Sequence, residues 1–160
     1  MTDASTRLLA RTALYAGLLA GTLDIGAAIF QTWARGPEWL LQVVASGWLG
    51  TAAFEGGWPA AALGLVSHFG IMLVIAVIWV VLCVRIPALI GRRSWPLAGV
   101  VWGVAVWIVM TYAVVPLSAA PLPPPGTSAI VKGLLTHVIA IGLPMALVAR
   151  LLLPRKHEFR

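Results

Sequence analysis

Charge is what this chain has least of. Only 10% of its 160 residues are Asp, Glu, Lys or Arg, and just 5 are acidic. Soluble domains carry about 25% charged residues, so there is too little polar surface to cover a water-soluble fold of this length. Cysteine is nearly absent as well. Cys83 is the only one, which excludes an intrachain disulfide. It lies in an apolar run, where a free thiol behaves as a small buried hydrophobe. No P-loop, nucleophile elbow, paired-cysteine metal motif or nucleic-acid module occurs. The formal net charge is +6, but the basic residues form short clusters between apolar runs. A nucleic-acid footprint needs a continuous basic stripe, so anionic lipid headgroups are the expected electrostatic partner and nucleic acid is not.

What remains is hydrophobic. The apolar fraction is 61% and the mean hydropathy is +0.97. A membrane span needs roughly 20 mostly apolar residues to cross about 30 Å of hydrocarbon. Four segments qualify, at about residues 12–33, 58–84, 96–116 and 128–153. Each must be helical, because only an internally satisfied backbone is tolerated in lipid. The first run is longer than the apolar core of a signal peptide and no small-residue cleavage site follows it promptly, so it reads as a true span. The expected fold is a single all-α domain, an integral membrane four-helix up-down bundle.

Lys and Arg collect on the cytoplasmic side of membrane proteins. Arg7, Arg11, Arg85, Arg92, Arg93, Arg150, Arg155, Lys156 and Arg160 fit one orientation, with both termini and the middle loop inside. Only Arg35 and Lys132 fall on the opposite side. The connection from Pro37 to Gly57 is too apolar for a free loop and too short for a span. Trp39, Leu40, Val43, Val44 and Trp48 predict a short interfacial or re-entrant helix, with Gln42 and Ser46 on one face of it. Trp33, Trp39 and Trp58 form an outer aromatic belt and Trp95 an inner one. The second outer connection carries Pro121, Pro123, Pro124 and Pro125, a semi-rigid strut.

Lipid tails are as apolar as leucine, so small residues choose the helix–helix faces. Gly17 and Gly21 mark such a face on the first span, Ala60 and Gly64 on the second, Gly99 and Gly103 on the third, and Gly133 and Ala140 on the fourth. Pro144, inside the fourth span, should free the Ala140 carbonyl and bend the helix.

Three ionisable residues fall well inside the spans: Asp24, His68 and His137. Such residues are costly in lipid and usually face the protein interior, at sites, relays or pathways. Asp24 follows Gly21 by three residues, His68 follows Gly64 by four and His137 follows Gly133 by four, so each shares a face with a packing glycine. Counted from the outer span ends at 1.5 Å per residue, all three lie about 14–15 Å deep. A carboxylate and two imidazoles make a reasonable ligand set for a transition metal, and two histidines on different helices can ligate haem iron. A small polar ligand fits equally, and so does structural hydrogen bonding that locks the bundle. Glu55 near the outer mouth, Thr111 and Tyr112 in the third span, and Met72 and Met110 are weaker candidates, and His157 reads as solvated.

The runs Ala20-Gly21-Thr22-Leu23-Asp24-Ile25, Ala45-Ser46-Gly47 with Ala52-Ala53-Phe54, Val115-Pro116-Leu117-Ser118 and Gly142-Leu143-Pro144 resemble a group of small four-span bacterial inner-membrane proteins with no established activity. The resemblance covers most of the chain. It implies the same topology and a bacterial inner membrane, and it brings no cofactor or partner. Four functional classes follow. The leading one is a small binding or accessory protein using Asp24, His68 and His137. The second is a proton or small-solute transport component, for which a homo-oligomer would offset the small size. The third is a structural or assembly subunit of a larger membrane complex. An enzyme is the least supported, since no catalytic set beyond the Asp–His group is visible.

Overall fold

The structure, a computed structural model, describes residues 3–154. No strand occurs among them, and four helices are long and apolar enough to cross a membrane. Helix α1 is Asp3–Gln31 and α2, the short one, is Gly36–Leu49. They are followed by α3, Gly57–Arg85, α4, Trp95–Leu117, and α5, Thr127–Leu152. Helix α1 starts well before Thr12, its first turns carrying Ser5, Thr6, Arg7 and Arg11 without a helix breaker. The basic tail from Arg155 to Arg160, His157 included, lies outside the described residues.

Glycines set the closest approaches, in antiparallel pairs. On α1, a Cβ at Gly17 would sit 3.0 Å from Leu73, and one at Gly21 would sit 2.9 Å from Phe69, both on α3. Rising numbers on α1 thus meet falling numbers on α3. Helices α4 and α5 interlock more tightly. A Cβ at Gly103 would lie 2.6 Å from the Val138 Cα, and one at Gly142 would collide with the Gly99 carbonyl oxygen. Gly133 receives the Trp107 indole, 2.8 Å from where its Cβ would be. Helices α1 and α5 also run antiparallel, with Gln31 Nε2 donating to Thr136 Oγ1 at 2.8 Å.

Gly64 departs from the sequence reading. Its close neighbour is not another long helix but α2, whose Leu41 carbonyl occupies the space a Cβ would need. Helix α2 starts with Pro37 in its first turn, where the missing N–H costs nothing. It ends at Gly50, whose φ of +59° suits glycine. Its polar side chains turn inward rather than toward water. Gln42 is buried and donates to Glu38 Oε1 and to the Gly57 carbonyl, each at 3.3 Å. Ser46, fully buried, donates to the Val43 carbonyl. Trp48 reaches across to Ser67 Oγ at 3.0 Å. Gly64 lies seven residues into α3, roughly 10 Å from its start at 1.5 Å per residue. So α2 lies across the outer part of α3. The proline strut is tied to it by a bond from the Ala119 N–H to the Gly47 carbonyl.

Both α4 and α5 contain a widened turn with i→i+5 bonding, at Met110–Val114 and at His137–Gly142. Each ends two residues before a proline, Pro116 and Pro144 respectively. A proline removes an amide donor and pushes its ring against the carbonyl four residues back, and a π-type turn is one way a helix absorbs that conflict. The bend expected at Pro144 therefore takes the form of a π-turn beginning at His137.

The apolar core sits toward the end that carries the N-terminus. Trp79 is 2% exposed and donates its indole N–H to the Met145 carbonyl at 3.2 Å. Ala16, Ala76, Cys83, Ile141, Ala146 and Ala149 close around it. Cys83 is a free, buried thiol in this core. At this same end Arg150 donates to the carbonyls of Gly91 (3.3 Å) and Arg92 (2.8 Å) and lies 5.8 Å from the Trp95 ring centroid. It fastens the α3–α4 connection to the last turns of α5.

Candidate functional site

The polar group is built by α1, α3 and α5. Helix α1 offers the Gly21 carbonyl and, one turn later, the Asp24 carboxylate. His68 is 7% exposed and reaches α1 because Gly21 has no side chain to hold the helices apart. Its Nε2 lies 2.9 Å from the Gly21 oxygen. A carbonyl only accepts, so Nε2 carries the proton and the Nδ1 of the neutral ring keeps its lone pair. The ring meets Phe69 edge-on, with centroids 5.3 Å apart.

His137 stands at the first residue of the α5 π-turn and is half-buried. Its Nδ1 lies 2.9 Å from the Gly133 carbonyl oxygen. By the same logic Nδ1 holds the proton and Nε2 holds the free pair. Its own backbone carbonyl is 2.7 Å from the Cβ position of Gly103, so α4 supports this turn from behind.

Asp24 is half-buried and lies within Coulombic range of both rings. No hydrogen bond to its carboxylate occurs among the described residues. Each imidazole of the sequence reading thus lies within electrostatic range of the acid. They do not converge as metal ligands. Among the described residues, no three His, Cys, Asp or Glu side chains are gathered closely enough to hold a metal ion. Haem iron ordinarily takes histidine through Nε2, and that atom of His68 is committed to Gly21. The group in this form presents neither a chelate nor an axial pair.

What it does present is one-sided hydrogen-bonding capacity. Both N–H groups are spent on backbone carbonyls, leaving two ring lone pairs and a carboxylate. Acceptors predominate and donors are lacking, which suits a partner that brings N–H or O–H groups and positive charge.

The weaker candidates disperse. Glu55 is exposed in the turn before α3. Tyr112 is exposed and edge-on to Trp107, and Thr111 lies beside it in the α4 π-turn. Met72 is core packing at 4% exposure, and Met110 lines a cavity elsewhere. Sequence reasoning missed the Gln31–Thr136 bridge, which lies one residue from His137 and ties α1 to α5 above Asp24. A polar residue near the end of the first span and a threonine beside His137 were its only signal. It also missed Arg150 as a brace, having counted it only as a topogenic charge.

No family model matches the chain, and neither a curated protein nor a solved structure was found to resemble it.

Proposed function

We propose that this chain is a four-span, up-down protein of a bacterial inner membrane, with cytoplasmic termini, whose Asp24–His68–His137 group binds a small cationic N–H donor such as ammonium or a protonated amine. The membrane reading is supported by the four apolar helices. The orientation is supported by charge. Arg7 and Arg11 share a surface hollow with Leu152, and Arg150 contacts the linker that bears Arg92 and Arg93, so these basic residues cluster at one end. The assignment to a bacterial inner membrane leans on the sequence resemblance.

The observation that carries the ligand class is the pair of ring-to-carbonyl contacts, His68 Nε2 with Gly21 and His137 Nδ1 with Gly133. Each imidazole donates one ring N–H to a backbone carbonyl, so in the neutral ring the nitrogen left for a ligand is an acceptor, and the carboxylate is unbonded. A charged donor offsets the cost of an intramembrane carboxylate in a way that an anion or a neutral acceptor would not. The test is calorimetric titration of the detergent-purified protein with methylammonium and ammonium, against sodium acetate as an anionic control. Saturable binding of the amines that disappears in Asp24→Asn is the expected result. Equal heats in wild type and Asp24→Asn would overturn the assignment.

A second reading uses the same groups. An acid in electrostatic contact with two imidazoles from separate helices is also the material of a proton relay. Proteoliposome acidification that is lost in Asp24→Asn would favour it. Flux that persists in that variant would remove this group as the path.

A further inference from the structure

The backbones of α3 and α4, although consecutive in the chain, do not pack against one another. They are bridged mainly by the Trp79 and Trp102 rings, with centroids 5.2 Å apart. On either side of Trp102 the gap opens into a chamber. The outer one, about 620 Å³, is walled by Ile71, Val74, Ile78, Val106 and Val109 and roofed by Trp48. The inner one, about 420 Å³, is walled by Leu82, Ile86, Leu97 and Val101. Trp102 and Ala105 line both, so the two form one lateral cleft along α3 and α4.

Basic residues flank the inner wall of the cleft. Arg85 immediately precedes Ile86, and Arg92 and Arg93 immediately precede Ser94, and both Ile86 and Ser94 lie in the inner wall. All three arginines are exposed, and none makes an ion pair among the described residues. No acidic residue lies between Arg85 and Arg93. The linker is held in place from behind, since Arg150 donates to the Gly91 and Arg92 carbonyls.

From this arrangement we infer that the α3–α4 cleft is a binding site for one anionic phospholipid, its phosphate on Arg85, Arg92 and Arg93 and an acyl chain along the cleft past Trp102. The inference rests on the membrane placement proposed above but not on the Asp24–His68–His137 ligand. Charge and apolar lining choose the occupant. Basic residues at the cytoplasmic surface attract anionic headgroups. The walls of both chambers are almost wholly apolar side chains, which suit an acyl chain.

The test is native mass spectrometry of the full chain, purified in mild detergent from membranes containing phosphatidylglycerol and phosphatidylethanolamine. One phosphatidylglycerol per chain is expected to survive purification. Each arginine replaced by alanine should weaken its retention by about fivefold. Ala105→Trp, which puts an indole where the two chambers meet, should abolish retention of either lipid. Val66→Trp, on an outward face of α3 that is 71% exposed, should leave retention unchanged, and circular dichroism checks that all variants remain helical. Phosphatidylethanolamine held as well as phosphatidylglycerol, full retention in Ala105→Trp, or a dimer mass in place of the lipid adduct would each overturn the inference. Thermal stabilisation by inorganic phosphate equal to that by phosphatidylglycerol would also overturn it, since the chain-binding cleft would then contribute nothing. Failure of the protein to fractionate with membranes would instead defeat the membrane placement itself.

Discussion

The two halves of the bundle are built on opposite principles. The half nearer the start of α1 is closed by small side chains and two large indoles, of which Trp79 donates to the Met145 carbonyl while the buried Trp102 Nε1 has no partner among the described residues. The half nearer the α1–α2 and α4–α5 connections carries Asp24, His68 and His137, with an unbonded carboxylate and two rings fixed by backbone carbonyls. It is partly covered by α2 rather than by a fifth long helix. Close backbone packing supplies rigidity in the first half. In the second, the two rings are tolerated because carbonyls at glycine positions accept from them, Gly21 on a neighbouring helix for His68 and Gly133 on the same helix for His137. A scaffold and a candidate site are thus stacked along the same helices.

That contrast breaks most severely at the glycines. Gly142→Ala should destabilise the detergent-solubilised protein by about 3 kcal/mol, since the added methyl meets the Gly99 and Gly103 backbone and overpacking of this kind costs about 1–3 kcal/mol or more. Gly70→Ala, with nothing within 4 Å of its Cβ position, should be neutral or gain up to about 1 kcal/mol of helix propensity. Thermal unfolding of the pair checks this, and similar losses for both would show that close approach is not what the glycines provide.

Asp24→Asn sharpens the distinction between site and scaffold. Removing a charge that costs about 2.5–3.5 kcal/mol at mid-membrane should raise the melting temperature while abolishing amine binding. A lower melting temperature would mark Asp24 as part of the packing. Trp79→Phe tests the other half. It should lose about 1 kcal/mol with the Met145 hydrogen bond and leave amine affinity unchanged, as read by denaturation and calorimetry together. The smallest effect is expected for Gln31→Ala. The exposed Gln31–Thr136 bridge should contribute under about 1 kcal/mol, but its loss should speed ligand exchange, measurable by stopped-flow, because it spans α1 and α5 above Asp24.

Much of the scaffold could be read from the residues. The four long apolar runs stand out because lipid tolerates nothing else of that length. Gly17, Gly21, Gly99 and Gly103 mark real approaches because absence of a side chain is visible in one letter. Gly64 was legible as a close approach but not as to what approaches it, since neither periodicity nor spacing distinguishes a long neighbour from the short α2. Gly142, the tightest contact between α4 and α5, was passed over beside Pro144, and the π-turn starting at His137 left no periodic signature. For the site, residue types and depth pointed to Asp24, His68 and His137 together. Whether the two rings would be donors or acceptors was out of reach, because each tautomer is set by a carbonyl, one of them on another helix.

By itself, the order of amino acids determined how many helices are apolar enough to cross a membrane, where their charges gather, and which three side chains carry ionisable groups inside them. These follow from local composition, which needs no neighbour to be read. Only the tertiary structure decided that α2 lies against Gly64, that α3 and α4 stand apart, and that the imidazoles expose lone pairs beside a carboxylate. Each of these depends on which backbone atoms come within a few ångströms of residues distant in the chain.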